Sequence, residues 1–160
     1  MSNFTHLDKE GNPSMVNVAK KKVTYRTAKA QSKIYLPPDV LEHFEKGDIQ
    51  TKKGPVFQTA IIAGVMAAKK TGELIPLCHP LGLENCQINI FINDEKEVVV
   101  ECTTSLTAKT GVEMEALTGA SIAALTIYDM CKAFSHDILI KETKLMEKTG
   151  GKRDFKREET

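Results

Sequence analysis

The sequence has no tryptophan and only four cysteines in 160 residues, Cys78, Cys86, Cys102 and Cys131, none of them in a CxxC pair. Without that pair there is no signature of a dithiol redox centre or zinc knuckle, and the irregular spacing does not form an extracellular disulfide framework. No apolar run approaches the roughly 20 residues that a membrane-spanning helix needs. The N-terminus also lacks the apolar region of a signal peptide. A reducing cytoplasm is therefore the expected compartment, with no membrane partner. An excess of charge of either sign is missing too: 22 Lys and Arg stand against 21 Asp and Glu, a net charge of +1. Such a chain has no global field for nucleic acid, so any anion site must be local.

What is present fits one domain, 1–160, because a chain of this length buries about two-thirds of its unfolded surface. Residues 1–22 are polar, contain Gly11 and Pro13, end in Lys20 to Lys22, and read as a mobile or loosely docked arm. From Val23 to Leu36 the residues Ala28, Ala30, Ser32, Ile34 and Leu36 share one parity, which predicts a half-buried strand. Pro37 and Pro38 open a short helix with Val40, Leu41 and Phe44 on one side. Gly54 and Pro55 open a longer one that Gly72 is expected to end. Two alternating runs, Cys86 to Ile92 and Val98 to Leu106, form a hairpin turning at Asn93 to Lys96. Thr110 to Phe134 is apolar nearly all round and rich in small residues, a helix buried on several sides. Ile138 to Leu145 supplies a last strand before a polar tail, 150–160. Two strand-helix-strand halves around a central hairpin predict an α+β sandwich of the ferredoxin-like, split βαβ type, an antiparallel sheet with helices on one face.

The chemistry-bearing residues gather in four places. Asp129 and Lys132 lie among apolar neighbours near the end of the long helix, one turn apart. They are either a self-satisfying ion pair or an acid and base whose pKa values are set by partial burial. At the other end of that helix, Thr110 and Glu113 have the spacing of a capping box. Glu115 has no such structural task. It lies about 40° from Asp129 around the helix axis but roughly 21 Å from it along the axis, so one compact site cannot use both from one chain. If both act, either the ligand is long or the site is shared between subunits. The segment Leu74 to Leu81 reads LIPLCHPL, in which Pro76 and Pro80 bracket Leu77, Cys78 and His79 in a stiff extended loop. Cys78 and His79 are also possible metal ligands, but they point apart in such a loop and no second Cys/His cluster has ligand spacing. Lastly, cations stand where phosphates bind: Lys53 before a helix start, Arg26 on the inward parity of the first strand, and Lys148 and Lys152 around Gly150-Gly151. Taken singly each lysine, Lys69 and Lys70 included, is a surface charge; together they suit a polyanionic small molecule. A metabolite-sensing module without catalysis is the alternative.

The strings LIPLCHPL, KTGVEMEALT from Lys109, ALTIYDMCKA from Ala124 and EKTGGK from Glu147 resemble the cyclic pyranopterin monophosphate synthase family of molybdenum cofactor biosynthesis. FTHL from Phe4 and AGVMAAKKT from Ala63 extend the likeness over nearly the whole chain. The resemblance implies conversion of a 3′,8-cyclo-dihydro-GTP into cyclic pyranopterin monophosphate with release of diphosphate, a lyase-type rearrangement without metal or organic cofactor. It also implies a homohexamer, a trimer of dimers, with active sites at the dimer interface. Carried over by position, Asp129, Lys132 and Lys53 match the catalytic groups. Leu77, Cys78, His79, Met114, Glu115, Arg26, Lys69 and Lys148 match the substrate-binding groups. The chain departs from the family pattern at Asn17, where an aspartate is usual, and at Arg153-Asp154-Phe155, which directly follows Lys152.

Overall fold

A computed structural model describes residues 6–158; Phe4 and Thr5 of the FTHL string, with the first residues of the arm, lie outside the described residues. The first long strand, β1 (Thr24–Tyr35), follows the period-2 pattern: Ala28, Ala30, Ser32 and Ile34 are buried on one face while Lys29 and Lys33 lie on the other. After it come a one-turn helix, α1 (Pro38–Leu41), and a small antiparallel sheet of β2 (Phe44–Glu45), β3 (Asp48–Thr51) and β4 (Gly54–Pro55). Then follow α2 (Val56–Lys69), the single turn α3 (Thr71–Leu74), the hairpin β5 (Asn85–Ile92) and β6 (Glu97–Ala108), and α4 (Glu113–Cys131). The chain ends in β7 (Leu139–Thr149) and β8 (Phe155–Lys156).

The main sheet has the order β5-β6-β1-β7-β8 with every pair antiparallel. Strand β1 runs against β6 over its full length, from Thr24 opposite Ala108 to Tyr35 opposite Glu97. Helices α2 and α4 cover one face, and Ala30, Ile34, Val100 and Cys102 meet Ala60, Ala120, Ala123 and Ile127 in a common core. This is the predicted ferredoxin-like α+β arrangement, with β1, α2 and β5 as one half and β6, α4 and β7 as the other. The two helices approach closely because small residues line their contact. A Cβ on Gly64 would stand 2.8 Å from the Gly119 carbonyl oxygen, and one on Gly119 would stand 3.3 Å from the Gly64 carbonyl oxygen. Overpacking of this kind costs about 1–3 kcal/mol.

Several local expectations are corrected. Phe44 is not on a helix: α1 stops at Leu41, and Phe44 enters β2 with its ring against Phe57, centroids 6.1 Å apart. Helix α2 ends at Lys69, before Gly72, which sits inside α3. The stretch from Asp48 to Thr51, between the two predicted helices, forms strand β3. Asp48, only 5% exposed, accepts hydrogen bonds from the N–H groups of Phe57 (2.7 Å) and Gln58 (3.1 Å), satisfying free donors at the start of α2. Thr110 caps nothing: α4 begins after Val112 without a side-chain cap, and Glu113 pairs with Lys148 instead. The last strand runs on to Thr149, and the tail folds back as β8 along it. Gly150 makes that turn possible at φ +86, where any Cβ would overlap the carbonyl oxygen of Tyr25.

Candidate active site

The N-terminal end of α4 opens into a cavity of about 480 Å³. Its wall gathers Leu77, Cys78, His79, Met114, Glu115 and Lys148, six of the predicted binding residues, from three separate segments. The LIPLCHPL segment reaches the cavity as a turn and not as an extended loop, because Cys78 N–H donates to the Ile75 carbonyl at 3.1 Å. That turn aims His79 at the arm, where its Nε2 lies 2.7 Å from the Val16 carbonyl oxygen. A carbonyl only accepts, so Nε2 carries the proton, and in the neutral ring Nδ1 keeps a free lone pair.

The arm is docked at this point. Val16, Val18 and Lys21 line the cavity, and Lys109 Nζ donates to the Ala19 carbonyl at 3.0 Å. Residue patterns alone missed the arm's part in the wall. The one available signal was the basic run Lys20 to Lys22 beside Val16 and Val18.

Glu115 is the buried carboxyl of the site, 3% exposed, and among the described residues no cation lies within ion-pair distance of it. Burial, and secondarily the charge of Glu113, push its pKa above the ordinary carboxylate value. The Cys78 thiol is likewise pushed up, by burial first and then by Glu115, so it is a hydrogen-bonding group and not a thiolate. At the rim Lys148 Nζ donates to Glu113 Oε1 at 2.9 Å, and Lys152 stands nearby on the altered tail. The cavity wall thus combines a buried carboxyl whose charged form is disfavoured with three lysines, Lys21, Lys148 and Lys152.

At the opposite end of α4 the Asp129 carboxylate lies between two ammonium groups. Lys132 Nζ is 2.8 Å from Oδ1 and Lys53 Nζ is 3.2 Å from Oδ2. The expectation of burial is corrected here: Asp129 is 52% and Lys132 55% exposed. Hydrogen bonding and charge, first from Lys132 and then from Lys53, draw the Asp129 pKa below its ordinary value, and Asp129 in turn raises that of Lys132. The carboxylate is therefore ionised near neutral pH. Lys53 reaches it from the turn between β3 and β4, where Lys53 N–H donates to Thr51 Oγ1 at 3.1 Å.

Two predicted residues fall outside both groups. Arg26 points inward but meets carbonyls in place of a carboxylate, with Nε on Ala108 O (3.2 Å) and a terminal nitrogen on Lys109 O (3.2 Å). It thereby braces the strand end that leads to Thr110 and Gly111 of the cavity wall. Lys69 ends α2 without lining the cavity; it lies toward Cys86, whose pKa is lowered first by its contact with Cys102 and then by Lys69. A second hollow of about 550 Å³ lies against β7 and β8, but Lys29 and Glu101 in it already pair and its remaining charges are of mixed sign, so it has no net preference for an anion. Among the described residues, no helix is long and apolar enough to cross a membrane.

The chain also matches known proteins over most of its length. The MoaC family model matches residues 15–151. The chain is 49% identical to a cyclic pyranopterin monophosphate synthase of Xanthomonas campestris pv. campestris, covering 95% of this chain and 92% of that one. It is 52% identical to molybdenum cofactor biosynthesis protein 1 of Dictyostelium discoideum over 93% of this chain, which spans only 26% of that larger protein. It is also 52% identical to a molybdenum cofactor biosynthesis bifunctional protein of Synechocystis sp., over 94% of this chain and 45% of the relative.

Proposed function

This chain belongs to the MoaC family, and from that premise we propose that it is a cyclic pyranopterin monophosphate synthase. The substrate is a 3′,8-cyclo-dihydro-GTP, the products are cyclic pyranopterin monophosphate and diphosphate, and the reaction is of the lyase type. The observation that carries this reading is the convergence of His79, Cys78, Glu115 and Lys148 on one cavity that combines a buried carboxyl with several lysines. A heterocycle rich in N–H and C=O groups suits that carboxyl. A triphosphate suits Lys148, Lys152 and Lys21.

The chemistry needs protons moved at ring nitrogens and a hydroxyl to attack the α-phosphorus as diphosphate leaves. Asp129, ionised between Lys132 and Lys53, is the proton acceptor, and Lys132 the neighbouring donor. The lysines of the cavity wall stabilise charge developing on the leaving diphosphate. Asp129 and Glu115 lie at opposite ends of α4, roughly 21 Å apart along the axis. One chain therefore supplies the pocket and a second supplies the Asp129 group, in a homohexamer built as a trimer of dimers. Arg26 and Lys69 serve the substrate from the same interface. The whole chain acts as one domain in the cytoplasm, with the arm folded onto the pocket.

Purified protein should release one equivalent of diphosphate per equivalent of the cyclic GTP intermediate and leave GTP intact. Intermediate recovered unchanged after prolonged incubation would favour a sensing module.

A further inference from the structure

The two elements that build the Asp129 group are far apart in sequence: Asp129 and Lys132 ride on α4, Lys53 on the turn between β3 and β4. That turn belongs to a sheet with strands of 2, 4 and 2 residues, which cannot hold its own position without packing against something else. Two of its anchors tie it to the start of α2, the Asp48 carboxylate on the Phe57 and Gln58 N–H groups and the Phe44 ring on Phe57. A third ties it to α4. The exposed ring of His43 lies flat on half-buried Phe134, centroids 4.0 Å apart and planes at 17°. Phe134 sits in the turn that closes α4, its N–H donating to the Cys131 carbonyl at 3.0 Å, two residues beyond Lys132. On its other side, the His43 carbonyl accepts from the N–H of Gln50 in β3 at 3.1 Å. His43 thus grips by its backbone the sheet that carries Lys53, and by its ring the helix end that carries Asp129.

We propose that the His43–Phe134 stack is a positioning pair for the reaction, setting the separation of the Lys53 ammonium from the Asp129 carboxylate without touching substrate. The inference rests on the role given above to Asp129. Stacked rings hold a narrow range of separations, whereas a long exposed lysine otherwise samples many rotamers. Displacing a catalytic group by about 1 Å costs as much as a hundredfold in rate.

The test combines an NMR titration of the Asp129 carboxyl carbon with turnover. In His43→Ala the titration should move up toward the ordinary aspartate range as Lys53 withdraws, and kcat should fall roughly ten- to a hundredfold with KM little changed. His43→Phe, which keeps a flat ring, should restore both. In a Lys53→Met background, His43→Ala should have no further effect on either. An Asp129 titration that His43→Ala leaves unmoved would overturn the proposal, as would an equal loss of kcat with and without Lys53. If the titration moves while Asp129→Asn keeps full turnover, the functional reading fails, and with it the stack's claim on the reaction.

Discussion

The two ends of α4 solve opposite electrostatic problems with the same kinds of side chain. At the N-terminal end a carboxyl, Glu115, is buried with no cation at ion-pair distance among the described residues, and its pKa rises. At the C-terminal end a carboxyl, Asp129, is half exposed between two lysines and its pKa falls. Under the proposed function the difference is a division of labour. A neutral-leaning carboxyl suits recognition of a hydrogen-bonding ring, whereas a fixed carboxylate flanked by ammonium groups suits proton transfer and charge stabilisation.

The sharpest way to break that comparison is at the charged end. Asp129→Asn keeps the shape but removes the proton acceptor, so kcat should fall on the order of 10²- to 10⁴-fold. Because the pair is half exposed, the melting temperature should hardly change. Steady-state turnover and calorimetry on one preparation check both. At the other end, Lys148→Met should raise KM for the cyclic intermediate roughly tenfold, with a smaller effect on kcat, as expected for loss of a charged contact made in ground and transition states alike. Substrate titration of the initial rate reads the split.

The smallest effect concerns the buried carboxyl. The folded state favours protonated Glu115, so this carboxyl costs stability as pH rises from its ordinary value of 4.5 toward its raised folded pKa, and the cost persists above it. Glu115→Gln should therefore raise the melting temperature of the ligand-free protein by a few degrees, about 2–4, near neutral pH and have no such effect at pH 4. Thermal unfolding across that range tests the sign.

What the residue pattern made legible follows from how each element repeats. Strand β1 and the β5–β6 hairpin are half buried, so period-2 alternation marked their faces, and small residues marked α4 as buried on several sides. The β2–β4 sheet was not legible: strands this short have no period, and Leu41 and Phe44 share a helical spacing by chance. Asp48 was hidden for the same reason, since its role depends on backbone donors nine and ten positions away. The depth assigned to Asp129 came from its apolar sequence neighbours. The stripe one turn back is the better guide, because Leu125, at the i−4 position, is itself 53% exposed. The His79 contact with Val16 could not be read at all, as it joins residues 63 positions apart.

The proposed division of labour has a geometric consequence: with Glu115 and Asp129 at opposite ends of α4, the two halves of the proposed site meet only between chains. Co-expressing His79→Ala and Asp129→Asn chains, each inactive alone, tests this directly. If the site is shared across a dimer, random pairing restores one intact site in each mixed dimer, about a quarter of wild-type turnover. Activity no greater than the sum of the two separate variants would contradict the account.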